Sequence, residues 1–303
     1  MILLYHSVLP NNCPSIRIRA NYGIYQSTFH KQALWLRKNR VVVPLDQYIS
    51  ELNNPIFQQL NPIAITFDDG FRETFDCILP IIQEMQLPIT IFTSSGHLEN
   101  GELLWFSYLK ALCFESNYEF INEKTEKFFL GTIHQRQKAW KYLRSIAINT
   151  GDLIGFIKGL SHKYPLTSEL ASHYSGLTLK QLEIAVRSNL IEFGGHTVHH
   201  PLLDQLPIEI QQREIFENKN TLSELIGKPI RFFAYPGGEY NQDTVALVKK
   251  SGYDAAFAII PKRFNEPLFE IERVGIYSQS IHKFIIKMRG IVKVLRRIGI
   301  KIG

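Results

Sequence analysis

Cysteine is scarce in this sequence: Cys13, Cys77 and Cys113 are the three, an odd number without motif spacing. Disulfide-stapled domains use more cysteines in pairs, so this pattern excludes that class and favours a reducing compartment. Long apolar runs are also absent, since none reaches the roughly 18 residues that a membrane-spanning helix requires. The first residues lack the basic segment and the apolar length of a signal peptide. Together these absences predict a cytoplasmic protein.

Negative charge is missing from the C-terminal segment, residues 281–303, which has seven basic residues and no acidic one. The rest of the chain has 27 basic and 28 acidic residues, so the net charge of +6 comes from this tail. Its apolar residues share one arc of a helical wheel, which predicts a basic amphipathic helix. Such a helix suits an anionic surface, here the inner face of the membrane. The alternative is a final helix packed on the domain. Nothing else in the chain favours nucleic acid as a partner.

The segment 64–70, Ala-Ile-Thr-Phe-Asp-Asp-Gly, places two adjacent carboxylates at the end of an apolar strand. A glycine turn after the strand allows Asp68 and Asp69 to reach one cavity. Two neighbouring acids repel each other and resist burial, and a metal ion would relieve both costs. The alternative is a polar turn that caps the following helix.

A second motif, residues 194–201, is Gly-Gly-His-Thr-Val-His-His-Pro and follows another apolar run. His196 and His200 are four residues apart, so one helical turn would bring both imidazoles to one face, as two metal ligands require. His199 also fits a pairing with His196, and the spacing alone leaves the partner open. With one carboxylate, two histidines form a catalytic metal set with an open position, and the second acid is free to act as a base.

The two motifs, in this order, resemble the first two motifs of the polysaccharide deacetylase family, the NodB-homology carbohydrate esterases of family 4. The resemblance implies a distorted (β/α) barrel over residues 1–280 that removes N-acetyl or O-acetyl groups from sugars. It implies that Asp68 is the general base and that a metal-activated water attacks the acetyl group. Zinc is the expected metal, with cobalt or another divalent ion as alternatives. The implied metal ligands are Asp69, His196 and His200.

The resemblance also implies positions that support the site or contact the substrate. Thr197 matches the residue that braces the site by hydrogen bonding. The third family motif is matched at Tyr235, Pro236 and Gly237. At Ala234 the chain lacks the arginine that normally orients the catalytic aspartate. Arg273 is predicted to replace it from a later strand, and a surface salt bridge is the alternative.

The general acid of the family is usually a histidine in a late Leu-x-x-His motif, and this sequence has no convincing copy of it. The one late histidine, His282, lies in the basic tail. A Tyr-His pair after the first strand recurs in the subgroup of the family that resembles this chain. His6 is therefore the predicted acid, and an ordinary histidine at a strand end is the alternative.

Alternating strand and helix patterns predict parallel βα units on both sides of an unusual middle. Residues 22–40 are predicted as a helix and 41–44 as a strand. Residues 98–188 are helix-like, polar and aromatic, which predicts a helical insertion over the barrel mouth. Trp105 and Tyr108 in it could stack on a sugar ring, and the alternative is that they fix the insertion to the barrel.

These observations predict a metal-dependent hydrolase that removes acetyl groups from a sugar or a glycan intermediate. A lipid-linked or nucleotide-linked sugar is the expected partner, given the predicted location. One alternative is an amidase of the same fold that acts on a non-sugar carbon–nitrogen bond. A second alternative is a non-catalytic glycan-binding protein.

Overall fold

The fold is a closed barrel of seven parallel strands, seen in a computed structural model that describes residues 1–99 and 103–289. The strands of these residues are β1 (Ile2–Tyr5), β2 (Val8–Leu9), β3 (Ile24–Tyr25), β4 (Ala64–Phe67), β5 (Ile89–Thr93), β6 (Phe120–Glu123), β7 (Glu126–Phe129), β8 (Ile191–Gly195), β9 (Phe232–Ala234), β10 (Ala255–Ala258) and β11 (Ile271–Gly275). The barrel order is β1, β11, β10, β9, β8, β5 and β4, and β4 pairs with β1 to close it. The predicted distorted (β/α) barrel is confirmed.

Helices connect the strands and cover the outside of the barrel. In the described ranges they are α1 (Ser15–Ala20), α2 (Gln26–Asn39), α3 (Leu45–Ser50), α4 (Pro55–Gln59), α5 (Arg72–Met85), α6 (Ser95–Glu99), α7 (Trp105–Lys110), α8 (Ile133–Asn149), α9 (Leu153–Lys163), α10 (Ser168–Ser172), α11 (Leu179–Arg187), α12 (Ile208–Ile226), α13 (Gln242–Lys250) and α14 (Ile281–Met288). A π-helical turn, Ala111–Glu115, continues α7. Single 3₁₀ turns cover Leu203–Gln205, Pro236–Gly238 and Pro267–Phe269. Among the described helices, not one has both the length and the apolar character needed to cross a membrane.

Apolar runs form the barrel strands because both faces of these parallel strands are covered. Every residue of β1 and β4 is buried, and the two strands pair with Ile2 opposite Ala64. Alternate residues then face opposite sides. The rings of Phe92 in β5 and Phe257 in β10, which are not neighbouring strands, meet at 5.4 Å inside the barrel. Leu3 on the opposite face of β1 belongs to the cluster beneath the outer helices.

The turn after β4 requires its glycine. Gly70 has a φ of +69°, and a Cβ at this position would lie 2.2 Å from Thr93 Oγ1. Asp69, just before it, also has a left-handed φ of 73°. This sharp corner turns the chain from β4 into α5 while both carboxylates stay at the carboxyl end of the barrel.

The insertion predicted over residues 98–188 differs from the structure in two respects. It was predicted without strands, but β6 and β7 form an antiparallel hairpin with Phe120 opposite Phe129. The chain also returns to the barrel earlier than predicted, because Leu177 N donates to Gly70 O at 3.0 Å. The helix that follows, α11, packs against β8 and α12 as a barrel helix. The inserted part has a hydrophobic cluster of its own, which includes Leu109, Leu112, Ile121, Ala139, Leu143 and Leu160.

Two predicted elements near the N-terminus are shorter in the structure. The helix predicted from residue 22 begins at Gln26, because Ile24 and Tyr25 pair with β2 as strand β3. The strand predicted over 41–44 is reduced to a single bridge between Val42 and Ile63. Pro44 then caps α3, and its ring fixes the backbone at the start of that helix.

The C-terminal helix packs on the barrel where the structure describes it. The ring of Phe284 in α14 contacts Trp35 of α2 at 5.8 Å, and Met288 is buried in the same cluster. Arg40 donates to Met288 O at 2.9 Å. The apolar face of residues 281–288 is therefore occupied by the domain, as the packed-helix alternative proposed. Residues 290–303 lie outside the described residues, so the membrane-surface role of the tail stays a prediction.

Candidate active site

The carboxyl ends of the barrel strands surround one cavity of about 480 Å³. Parallel strands bring these ends to the same edge, so residues distant in sequence meet there. The cavity is lined from this edge by His6 after β1, Asp69 after β4, His200 after β8, Gly237 after β9 and Tyr277 after β11. The two sequence motifs and the predicted acid thus face a single space.

Arg273 of β11 donates two hydrogen bonds to the carboxylate of Asp68. Its Nη1 donates to Oδ1 at 2.6 Å and its Nη2 donates to Oδ2 at 2.7 Å. The Arg273 side chain is 0% exposed and that of Asp68 is 4% exposed. Burial would raise the pKa of Asp68, but the charge and hydrogen bonds of Arg273, together with His196, hold that pKa below its usual value. Asp68 is therefore an ionised carboxylate in a fixed orientation, and the surface salt bridge considered for Arg273 is not what the structure contains.

Asp69, His196 and His200 bring one possible ligand atom each to within 4.8 Å of one another. Asp69 Oδ1 lies 3.3 Å from His200 Nε2 and 3.7 Å from His196 Nε2. This oxygen is buried and accepts no hydrogen bond from the described residues. A buried carboxylate oxygen without a donor is costly, and a cation between the three atoms would satisfy it.

The protonation of His196 suits a metal ligand. Its Nδ1 donates to Ala234 O at 2.7 Å, which leaves the lone pair of Nε2 on the side of Asp69. Burial lowers the pKa of His196 to about 4, against the charges of the neighbouring carboxylates. The ring is therefore neutral at neutral pH, the form in which imidazole binds metals.

A loop, rather than the predicted helical turn, brings the two histidines together. Thr197 and His200 both have left-handed backbone, with φ of 64° and 58°, which a right-handed turn does not allow. Thr197 Oγ1 donates to His196 O at 2.5 Å and accepts from His200 N at 3.0 Å. Thr197 is fully buried, so its hydroxyl braces the loop from inside.

The neighbouring histidine, His199, is bound elsewhere. Its Nδ1 lies 2.7 Å from Glu214 Oε1, and its backbone N donates to Glu214 Oε2 at 2.8 Å. These contacts tie the loop to α12. Of the two partners that the spacing left open for His196, the structure brings His200 to Asp69.

Asn218 of α12 ties three segments of the site together, and no motif in the sequence predicted this role. Its Nδ2 donates to Thr93 O at 3.2 Å and to Thr197 O at 2.6 Å, and its Oδ1 accepts from His196 N at 3.0 Å. Asn218 is fully buried. The amide therefore holds the end of β5 and the histidine loop at fixed positions.

We expect Asn218→Ala to weaken zinc binding about 10–100-fold, the usual effect of removing an outer support of a metal ligand. The variant leaves three buried backbone groups without their partner, so His196 loses its position. Zinc affinity is measured by competition with a chromophoric chelator. Asn220→Ala, an exposed position on the same helix, is the matched control and should bind zinc as the parent does. Equal affinities for the two variants would contradict this role.

His6 lies in the cavity beside two tyrosines. Its ring centroid is 5.7 Å from that of Tyr277 and 6.2 Å from that of Tyr22. Its Nδ1 is buried and has no hydrogen-bond partner among the described residues. Burial lowers the pKa of His6, against the charges of Asp69 and Asp68, which raise it. An imidazole nitrogen without a partner in the cavity can exchange a proton with a bound ligand.

Trp105 fixes the insertion to the loop that carries His200. Its Nε1 donates to His200 O at 2.9 Å, and its side chain both lines the cavity and is 5% exposed. Phe106 beside it places its ring 4.6 Å from the ring of His200. Tyr108 lies in the core of the insertion and donates to Tyr164 O at 3.1 Å. The anchoring alternative therefore describes Tyr108, whereas Trp105 both anchors and lines the cavity.

The third motif contributes less than its resemblance implied. The Tyr235 side chain is buried and stacked on Tyr240 at 4.1 Å, and its hydroxyl donates to Phe269 O at 2.9 Å. Pro236 is buried behind it, and Gly237 alone of the three lines the cavity. The Tyr235 side chain therefore belongs to the barrel core, and its contact with a substrate stays a prediction.

Several residues of the cavity wall went unpredicted. They are Tyr22, Phe106, Lys110, Trp140, Arg144 and Tyr277. Four of these come from the insertion, where no motif separates a cavity residue from an ordinary helical one. The prediction that the insertion covers the barrel mouth was the one indication that some of its residues would line the cavity.

Comparison with known proteins supports the same reading of the chain. A family model described as polysaccharide deacetylase matches residues 159–256. The provisionally named polysaccharide deacetylase YxkH of Bacillus subtilis (strain 168) is 21% identical over 266 residues, which is 86% of this chain. This chain spans 64% of the length of YxkH.

Solved structures share the fold over nearly the whole chain. The Streptococcus pyogenes deacetylase PplD, determined in complex with acetate, has a TM-score of 0.62 and 18% identity, and 95% of this chain and 96% of that chain are covered. IcaB from Ammonifex degensii has a TM-score of 0.58 and 18% identity, with 95% of each chain covered. The chain is thus similar to polysaccharide deacetylases in the family model over residues 159–256 and in the curated relative, and it shares the barrel fold of the solved deacetylase structures.

Proposed function

We propose that this protein is a metal-dependent deacetylase that removes N-acetyl or O-acetyl groups from a sugar or glycan intermediate. One observation carries the proposal. An arginine-fixed carboxylate, Asp68, directly precedes the buried Asp69–His196–His200 cluster at the carboxyl end of the barrel. A base and a metal set in adjacent positions are the parts that hydrolysis of an acetyl group requires.

The residues fit a divalent metal. Asp69 supplies a buried oxygen without a donor, and His196 supplies a neutral nitrogen whose other side is held by a carbonyl. Two nitrogens and one oxygen leave an open position, which is typical of catalytic zinc and also compatible with cobalt. When bound, such a metal would supply Lewis-acid activation of water and stabilise negative charge on the acetyl carbonyl oxygen.

The protein's own groups account for the protons. Asp68 is ionised and oriented, so it accepts the proton of the attacking water. Arg273 holds the carboxylate in place without touching the substrate, which makes it a positioning residue. His6 lines the same cavity, and once protonated at its unpartnered Nδ1 it is the proposed donor of that proton to the leaving amine.

The insertion and the loop after β9 complete the pocket. Trp105 and Gly237 line it, and Trp105 is proposed to contact the sugar while it anchors the histidine loop. Thr197 supports the loop from behind. Aromatic walls on both sides of the cavity suit the apolar face of a pyranose ring.

The proposal is tested by acetate release from a panel of N-acetylated sugars, free and lipid-linked. Chelator-treated protein should release no acetate, and zinc or cobalt should restore release. If no sugar yields acetate although one metal binds per chain, the proposal is wrong. Turnover of non-sugar amides would then identify the amidase alternative. Sugar binding without turnover of any amide would identify the non-catalytic alternative.

A further inference from the structure

The insertion brings two positive charges to the catalytic cavity. Lys110 is the last residue of α7, just before the π-helical turn, and Arg144 lies on α8. Both line the cavity. Among its described lining residues, Asp69 is the one carboxylate, and a bound metal would compensate its charge. With that metal in place, the positive charges of Lys110 and Arg144 are not balanced by any acidic side chain among the described lining residues.

Lys110 is buried without a directly paired carboxylate, although the charge of Asp69 reaches it from elsewhere on the cavity wall. Its side chain is 8% exposed, and no carboxylate in the described part of the chain lies within 4 Å of its Nζ. The Nζ instead lies 4.8 Å from the ring centroid of Phe106 and 5.8 Å from that of Tyr22. A buried ammonium paired only with aromatic faces costs stability, since lost hydration exceeds what rings return. Burial accordingly lowers the pKa of Lys110 to about 8.

Further donors stand beside it. The guanidinium of Arg144 lies 5.8 Å from the ring centroid of Trp140, which also lines the cavity. Trp140 Nε1 is buried and has no hydrogen-bond partner among the described residues. An ammonium, a guanidinium and an indole N–H on one wall are donors suited to anionic oxygens.

We infer that the substrate is an acetylated sugar that carries an anionic group, a phosphate or a carboxylate, which Lys110 and Arg144 bind at the wall formed by the insertion. This inference rests on the proposed deacetylase function and names its substrate class. The anion pairs with the buried ammonium of Lys110. The acetyl group then reaches Asp68 and the Asp69–His196–His200 cluster. The aromatic rings of Tyr22 and Trp140 flank the sugar between the two ends.

The kinetic test compares three sugars that share the N-acetylglucosamine ring. They are N-acetylglucosamine itself, its anomeric phosphate, and N-acetylmuramic acid, which carries a carboxylate. We expect kcat/KM to be about 10–100-fold higher for at least one anionic sugar than for the neutral one, as a charge-assisted contact supplies. The preferred anion identifies phosphate or carboxylate as the group bound. A neutral sugar turned over as well as both anionic ones would overturn the inference and leave the deacetylase function intact.

The variant Lys110→Met tests whether this residue supplies the preference. It keeps the length and apolar stem of lysine and removes the charge. We expect the ratio of kcat/KM for the anionic sugar to that for the neutral sugar to fall about tenfold. The fall should come from a higher KM for the anionic sugar. Lys141→Met, an exposed lysine on α8, is the matched control and should keep the parent ratio. An unchanged ratio in Lys110→Met would contradict the assignment.

Two further readouts separate this inference from the proposed function. In metal-free protein, calorimetry with the preferred sugar should show binding that Lys110→Met weakens about tenfold. That result would support the anion site even if no sugar released acetate. The thermal midpoint of metal-free Lys110→Met should equal or exceed that of the parent, because a buried charge without a partner is removed. A lower midpoint would show that Lys110 serves the fold and would overturn the inference.

Discussion

The Asp68→Asn variant should lose acetate release by about 10²–10⁴-fold, the usual contribution of a general base. Asparagine has nearly the same shape and can still accept a hydrogen bond from Arg273, but it cannot take a proton from water. The proposed metal ligands Asp69, His196 and His200 are unchanged, so metal binding should persist at one ion per chain. The readouts are initial rates of acetate release and metal content of the same sample.

The matched control is Asp243→Asn, an exposed aspartate on α13 that does not line the cavity. It removes the same charge and should keep the parent rate. If Asp68→Asn retained turnover, the role of Asp68 as the base would be wrong. Loss of the metal together with turnover would instead show that Asp68 belongs to the metal site.

The Arg273→Met variant should lower the free energy of unfolding more than the other variants proposed for this protein. It leaves the Asp68 carboxylate buried without its partner, and breaking a buried pair in this way costs about 3–5 kcal/mol. Because the carboxylate also loses its orientation, kcat should fall about 10²-fold. Denaturant unfolding of metal-free protein measures the first effect, and acetate release by the metal-loaded protein measures the second.

A double variant shows whether the loss belongs to the pair. Asp68→Asn/Arg273→Met removes both charges and should be more stable than Arg273→Met alone, since the carboxylate that lost its arginine partner is then also absent. Arg273→Lys retains the positive charge but cannot make the bidentate hydrogen bonds to Asp68. Its kcat should therefore lie between those of Arg273→Met and the parent. Arg37→Met, an exposed arginine on α2, should change neither quantity. A double variant no more stable than Arg273→Met would contradict the pairing account.

The sequence predicted those parts of the fold that depend on local patterns. Apolar runs located β4 and β8. The adjacent acids and the histidine motif were recognisable because each lies within a few residues at a strand end. Seven parallel strands then brought these ends together, as the fold class requires.

The remaining features depend on contacts between distant segments. Arg273 and Asp68 are 205 residues apart in the sequence, so spacing could suggest their pairing but not its geometry. The support by Asn218 needs three backbone groups from two other segments. The burial of Lys110 depends on how the insertion folds over the barrel. No local pattern encodes these contacts, and the left-handed turns at Thr197 and His200 oppose the local helical preference that the spacing suggested.

In the proposed function, acetate release depends on one metal ion bound by the Asp69–His196–His200 cluster. The most direct measurement adds zinc stepwise to chelator-treated protein and records acetate release from the best substrate at each step. The account predicts that the rate rises linearly and reaches its maximum at one zinc per chain, and that His200→Ala gives no such rise. Acetate release by the metal-free protein at the full rate would contradict the claim.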